Sequence, residues 1–231
     1  ACGPAPVSGA VHRATSSARL WARASPPGCS PLRRRPDDGV DGFAVYKVKH
    51  DWPQGWPRSV LTVRDLQAAT PQAYADLWRY VLDVDLIERV DSWNRPADES
   101  LLHLLQEPRR LRATVVDNLW VRLVDLAGAL RARRYAADGR LVLEVADPFG
   151  PWNEGRYALE ASAGEATVTA GTDAPADIAC TVNEVAATYL GGITFRQLHR
   201  AGRIQERTDG ALSRADAMFG WDPAPWSPYD Y

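Results

Sequence analysis

Four histidines, three cysteines and 29 carboxylates are the residues of this 231-residue chain able to ligate metals, attack carbonyls or move protons. His12, His50, His103 and His199 are scattered, with no pair at metal-ligand spacing. His103 falls on a leucine-rich helix face and His199 near a helix end, positions that suit packing or capping better than proton transfer. Cys2, Cys29 and Cys180 are odd in number and far apart. They form neither a CxxC pair nor a disulfide framework, and a reducing cytoplasm is the expected setting. There is no GxxxxGK[ST], no GxGxxG after a strand, no HExxH and no GxSxG. Nine tryptophans are the outlier of the composition. Bulky core and hinge anchors account for them plainly; an aromatic substrate pocket is the functional alternative.

The elements that would position any of these groups read as α+β. The stretch Asn118–Tyr135 organises the second half. Leu119, Val121 and Leu123 alternate with Trp120, Arg122 and Val124, which predicts a strand. Asp125 then serves as N-cap for a helix carrying Leu126, Ala129, Leu130 and Arg133, ending near Tyr135. Upstream, strands are predicted over 42–48 and 59–66, joined by a Trp- and Pro-rich loop. Thr70-Pro71 opens an amphipathic helix with Tyr74, Leu77, Trp78, Val81 and Leu82 on one face. A further strand is predicted over 86–90 and a short helix over 101–105. Downstream, strands are predicted over 141–145, 156–160, 165–169 and 176–182, with 147–155 a turn-rich connection. Asn183 caps a helix stopped by Gly191-Gly192, and further helices cover 195–201 and 211–219, with a short strand at 203–206 between them.

Composition sets outer limits. The hydrophobic fraction of 45% suits a packed globular chain, and the formal net charge of -2 offers no attraction to nucleic acid or anionic membrane. No apolar run approaches the ~18–20 residues that cross a bilayer. Residues 1–39 are dominated by Ala, Pro, Ser, Gly and Arg, with Trp21 their only aromatic. They read as a disordered or non-homologous extension. The chain opens on Ala1 rather than Met, which suggests part of a longer protein.

Beyond these patterns, a series of segments resembles one family. Gly42-Phe43-Ala44-Val45-Tyr46-Lys47-Val48, Val63-Arg64-Asp65-Leu66, Leu77-Trp78-Arg79 and Leu101-Leu102-His103-Leu104-Leu105 come first. Asn118-Leu119-Trp120-Val121-Arg122-Leu123-Val124-Asp125-Leu126, Arg134-Tyr135, residues 172–177 and Tyr189-Leu190-Gly191-Gly192 follow in order. Together they are similar to the C-terminal part of the Eis-type (enhanced intracellular survival) N-acetyltransferases. The resemblance covers residues 40–231 and rests on the series, since no single motif is diagnostic.

What it implies is an α+β chain in two parts. Residues 40–107 would be the end of a second GNAT-like domain, a partial sheet with helices. Residues 110–231 would be a sterol-carrier-protein-2-like domain. The family's V-x-[VA]-x-P-x-x-R-x-x-G loop for acetyl-CoA and its general-acid tyrosine have no counterpart here, so the acetyl-CoA-binding domain is expected to be absent and the chain inactive alone. The resemblance further implies a cytoplasmic homo-oligomer, a hexamer in the family, acting on amines of a polycationic, aminoglycoside-like substrate. In that family the C-terminal carboxylate is the base. Here it belongs to Tyr231, the candidate catalytic residue, and Asp230 beside it would bind the cationic substrate. A lipid-binding or oligomerisation module is the alternative.

Overall fold

The computed structural model describes residues 40–228 and, as backbone only, residues 19–22 and 30–35. The chain divides into two compact units, meeting between Val115 and Val116 in sequence, with the last described residues grouped with the first unit.

The first unit is built on strands β1 (Arg19–Ala22), β2 (Ser30–Arg35), β3 (Gly42–Lys49) and β4 (Ser59–Ala68), then helix α1 (Pro71–Leu82), strand β5 (Ile87–Ser92) and helix α2 (Leu101–Leu104). The sheet runs β1-β2-β3-β4-β5, antiparallel as far as β4 and parallel between β4 and β5, with α1 as the crossover. Thr70 caps α1 by accepting a hydrogen bond from the Ala73 amide at 3.1 Å, and Pro71 fills the first turn, as the sequence predicts. The inner face of α1, with Leu77, Trp78 and Val81, packs on Ala44, Tyr46, Leu61, Val63 and Leu66. A bulge makes that set possible. Val45 pairs with Asp65 but Tyr46 pairs with Val63, so Arg64 is the extra residue. Leu61 and Val63 lie in one phase of β4 and Leu66 in the other, yet all three are buried, because the bulge resets the alternation.

Order begins earlier than the sequence reading placed it. Residues 30–34 pair with β3 in register from Ser30↔Tyr46 to Arg34↔Gly42, and β1 pairs with β2 in turn. A strand of this kind needs no apolar run of its own, because the open edge of β3 supplies its hydrogen-bond partners. Pro31, which has no amide to donate, lies past the end of β1, whose register reaches only Leu32.

The second unit has helix α3 (Leu126–Ala132), strands β6 (Gly139–Ala146), β7 (Gly155–Ser162), β8 (Glu165–Ala170) and β9 (Ile178–Thr181), helices α4 (Val182–Tyr189) and α5 (Phe195–Arg200), strand β10 (Gln205–Glu206) and helix α6 (Ala211–Phe219). Its sheet order is β10-β9-β6-β7-β8, with β6 and β9 parallel. Leu141, Leu143, Tyr157, Leu159 and Ile178 project from one face into a core closed by Leu126, Leu130, Val185, Phe195, Met218 and Phe219 of the helices. The other face carries cross-strand charge pairs, Arg140 with Glu160 and Arg156 with Glu144. Arg133 locks the end of α3 onto α6. Its guanidinium donates to the Phe219 carbonyl at 2.9 Å and stacks 4.3 Å from the Phe219 ring centroid.

Two sequence expectations change here. Residues 118–124 are not a strand: they join no described ladder, and the Leu123 and Val124 carbonyls are taken by the side chains of Asn153 and Trp152. The helix cap before α4 is Thr181, not Asn183: a capping box with Glu184 starts the helix two residues earlier. Leu159 is fully buried whereas Leu190 is 42% exposed. Leu159→Ala should therefore cost ~2–5 kcal/mol in urea unfolding, and Leu190→Ala about 0.5 kcal/mol or less.

Candidate functional site

The turn between β4 and α1 lies at the carboxyl end of a strand in a parallel pair, the place where α/β units commonly seat phosphates on helix amides. Here three of the amides are committed. Ala69 donates to the Asp41 carbonyl at 2.7 Å, Ala73 to the Thr70 hydroxyl at 3.1 Å and Tyr74 to the Thr70 carbonyl at 3.0 Å. Pro71 has no amide, and residues 67–73 contain neither glycine nor a basic side chain. These residues do not fit the pyrophosphate of acetyl-CoA at this turn.

The same end of β4 is also bound by the loop that follows β5. Arg95 forms a half-buried ion pair with Glu99 at 2.6 Å and donates to the Leu66 carbonyl at 3.0 Å. Its guanidinium lies 5.8 Å from the Trp78 ring centroid. Burial pushes the Glu99 carboxyl up, while hydrogen bonds from the Leu101 and Ser100 amides oppose the shift. The neighbouring Asn94 amide group donates to the Ser227 carbonyl at 2.9 Å. The loop thus fastens β4, α2 and the last described stretch of chain. Asp230 and Tyr231, the residues the sequence points to, lie outside the described residues.

In the second unit the polar centre is Asp147, whose side chain is 1% exposed. It accepts from the Asn153 amide at 3.0 Å, the Gly150 and Phe149 backbone amides at 2.9 and 3.2 Å, and Arg122 Nη2 at 2.9 Å. Asn153, also buried, accepts from the Leu126 amide at 3.0 Å and donates to the Leu123 carbonyl at 3.3 Å. The Asn153 bond above all, with the Gly150 amide and Arg122, holds the Asp147 carboxyl down at about 2 against the opposing effect of burial. A carboxylate so fully bonded is no proton acceptor at neutral pH; it pins residues 122–126 to the 147–153 loop. Sequence reasoning took this loop as turn residues only. The Asp147-Pro148-Phe149-Gly150 run signals the turn, but nothing local signals Arg122 or Leu126 as partners.

The remaining sequence candidates are placed without a catalytic arrangement. His199 Nδ1 lies 2.9 Å from the Ile204 carbonyl, a local structural contact, and His103 is exposed. Burial pushes the Cys180 thiol up to about 12, which leaves it inert as a nucleophile. Among the described residues no group of three or more His, Cys, Asp or Glu could hold a metal ion. No described helix is long and apolar enough to cross a membrane.

The two units correspond to two known families. The model of the acetyltransferase (GNAT) domain matches residues 11–123, and that of the sterol carrier protein domain matches residues 126–228. An uncharacterized N-acetyltransferase of Streptomyces avermitilis is 40% identical over 208 residues, covering 90% of this chain and 50% of its own. N-acetyltransferase Eis of Mycobacterium tuberculosis is 33% identical over 195 residues, covering 83% and 45%. The crystal structure of Eis1 from Mycobacterium abscessus superposes with a TM-score of 0.72 at 32% identity, over 89% of this chain and 51% of that one. The chain therefore carries a GNAT-family domain followed by a sterol-carrier-family domain. That is the make-up of the Eis-like GNAT N-acetyltransferases, and the α+β class read from the sequence holds. The chain spans about half the length of the curated relatives it matches.

This corrects the sequence reading in one respect. The GNAT match starts at residue 11, within the stretch taken as foreign, so only the end of such a domain being present is not supported. Neither is the absence of an acetyl-CoA-binding domain from the chain. The Arg- and Pro-rich N-terminal strands hid the domain's beginning.

The Asp147 network makes a pH prediction. Its carboxyl lies at about 2 in the folded chain against an ordinary 3.8, so its ionised form stabilises the fold. That contribution is complete above about pH 4 and is lost as pH falls through about 2. Urea midpoints of the native chain should drop across this window. Asp147→Asn should be less stable at neutral pH and show a smaller drop.

Proposed function

We propose that this chain is part of an N-acetyltransferase that moves the acetyl group of acetyl-CoA onto an amine of a polycationic, aminoglycoside-like substrate. Its own contribution is the C-terminal carboxylate of Tyr231. With an ordinary α-carboxyl pKa of ~3.3–3.7, that group is ionised at neutral pH and able to take the proton of a substrate ammonium. Asp230 adds negative charge beside it for the cationic acceptor. Acetyl-CoA supplies the activated acyl group and is taken to bind away from the β4–α1 turn.

The observation that supports this reading is the course of the chain's end. The last described residues group with the acetyltransferase unit, and the Ser227 carbonyl is held there by Asn94 at 2.9 Å. A tail fixed three residues before Asp230 suits a terminus with a task better than a frayed one. The same proposal includes a cytoplasmic homo-oligomer, hexameric as in the family. The lipid-carrier alternative is less favoured, because Phe195, Phe219 and Met218 fill the space between helices and sheet.

The test uses the longer protein with acetyl-CoA and an aminoglycoside. Adding two glycines after Tyr231 keeps both side chains and moves the carboxylate. The expected result is a kcat loss of about a hundredfold or more, in the range of lost general-base catalysis, with unchanged circular dichroism. Unaltered turnover would overturn the role of the carboxylate. Deleting Asp230 and Tyr231 together should raise KM for the cationic acceptor as well.

A further inference from the structure

The helices that close the second unit's core pack on the Leu141 and Leu143 face of its sheet, and a groove of about 660 Å³ opens at the ends of β6, β7 and β9. Three arginines line it, Arg156, Arg203 and Arg207, with the carboxylates of Glu144 and Glu154. Two of these arginines are fixed in the same way. Arg156 turns its Nε and Nη2 edge to Glu144 Oε1, at 3.1 and 2.9 Å. Arg203 turns the same edge to Glu184 Oε1, at 2.9 and 2.6 Å. Glu184 is itself buried and anchored by the Thr181 amide and hydroxyl at 2.8 and 2.5 Å. A guanidinium held along one edge keeps its Nη1 side free and loses little entropy on meeting an anion. Neither the Arg207 guanidinium nor the Glu154 carboxylate has a side-chain partner among the described residues. With the two internal pairs neutral, the groove offers, among the described residues, one free cation, two oriented forks and one free carboxylate.

We propose that this groove binds a small phosphomonoester that also carries an ammonium group. A phosphomonoester presents three acceptor oxygens, one for the Arg207 cation and one for each oriented fork; a carboxylate presents two. Glu154 faces the ammonium and sets the preference for an amine-bearing ligand. The volume lies within the ~300–1,000 Å³ usual for small-molecule sites. This site is independent of the acetyltransferase reading and lies wholly in the second unit.

The test is calorimetric titration of the full chain at about pH 7.5, where the phosphomonoester is dianionic. Phosphoethanolamine is the first probe, ethyl phosphate its amine-free counterpart, and glycerophosphoethanolamine the soluble diester that stands for a lipid headgroup. Saturable binding of phosphoethanolamine is expected. Arg207→Gln should weaken it by about tenfold or more, equivalent to ~1.4 kcal/mol, with an unchanged melting temperature. Glu154→Gln should abolish the preference for phosphoethanolamine over ethyl phosphate. The diester should bind several-fold more weakly. Absence of saturable binding at a few millimolar probe, or equal affinity in Arg207→Gln, would overturn the site. Equal affinity for the diester would overturn its assignment to a phosphomonoester.

Discussion

The second unit depends on one buried carboxylate. Asp147 is closed off from water, and a lone carboxylate there would cost several kcal/mol. It is tolerated because Asn153, two backbone amides and Arg122 converge on it. Removing any partner leaves the rest underpaired, so the loop 147–153 and the segment entering α3 are specified together. Asn153 carries the order onward, since it bonds the Leu126 amide at the start of α3. From there Leu126 and Leu130 reach the core, and Arg133 ties the helix end to Phe219. A polar network sets the entry angle of a helix whose burial is apolar.

The first unit is governed by a constraint of register instead. One extra residue in β4 lets Leu61, Val63 and Leu66 all face α1. Without the bulge, strict alternation would turn Leu66 outward. The same strand feeds the crossover helix, and its carbonyl at Leu66 takes the Arg95 bond that anchors the loop after β5. Ser227, next to the last described residue, is held by that loop through Asn94. Packing and a candidate functional terminus thus share one fastening. The turn at the head of α1 has the topology of a phosphate site, but three of its amides are already bonded and it holds neither glycine nor a basic side chain. Topology offers a location; the side chains and free amides decide whether anything binds there.

The charged sheet face shows the reverse case. No motif marks Arg156, on β7, together with Arg203 and Arg207, which flank β10. They line one groove because β6 and β9 run parallel and β10 returns alongside. The carboxylates that orient Arg156 and Arg203 come from two further elements, β6 and α4.

Local information was written legibly in this sequence. The caps Thr70-Pro71 and Asp125, the α1 face of Leu77, Trp78 and Val81, and the α6 span all follow from propensity and period acting within a few residues. The role of the Asp230-Tyr231 ending came from a resemblance, not from propensity or period, and stands as a proposal. Tertiary structure decided whatever depended on a distant partner. Strands β1 and β2 form on the edge of β3, though their composition argues against order. Residues 118–124 alternate like a strand, yet they join no described ladder, and side chains of the 147–153 loop take the Leu123 and Val124 carbonyls. Asp147 reads as a turn residue until Arg122, 25 positions away, is brought to it. The physical reason is the same in each case. A residue's own conformational preference is set by its neighbours in the chain, whereas the partner that satisfies a hydrogen bond or a charge is chosen by the fold.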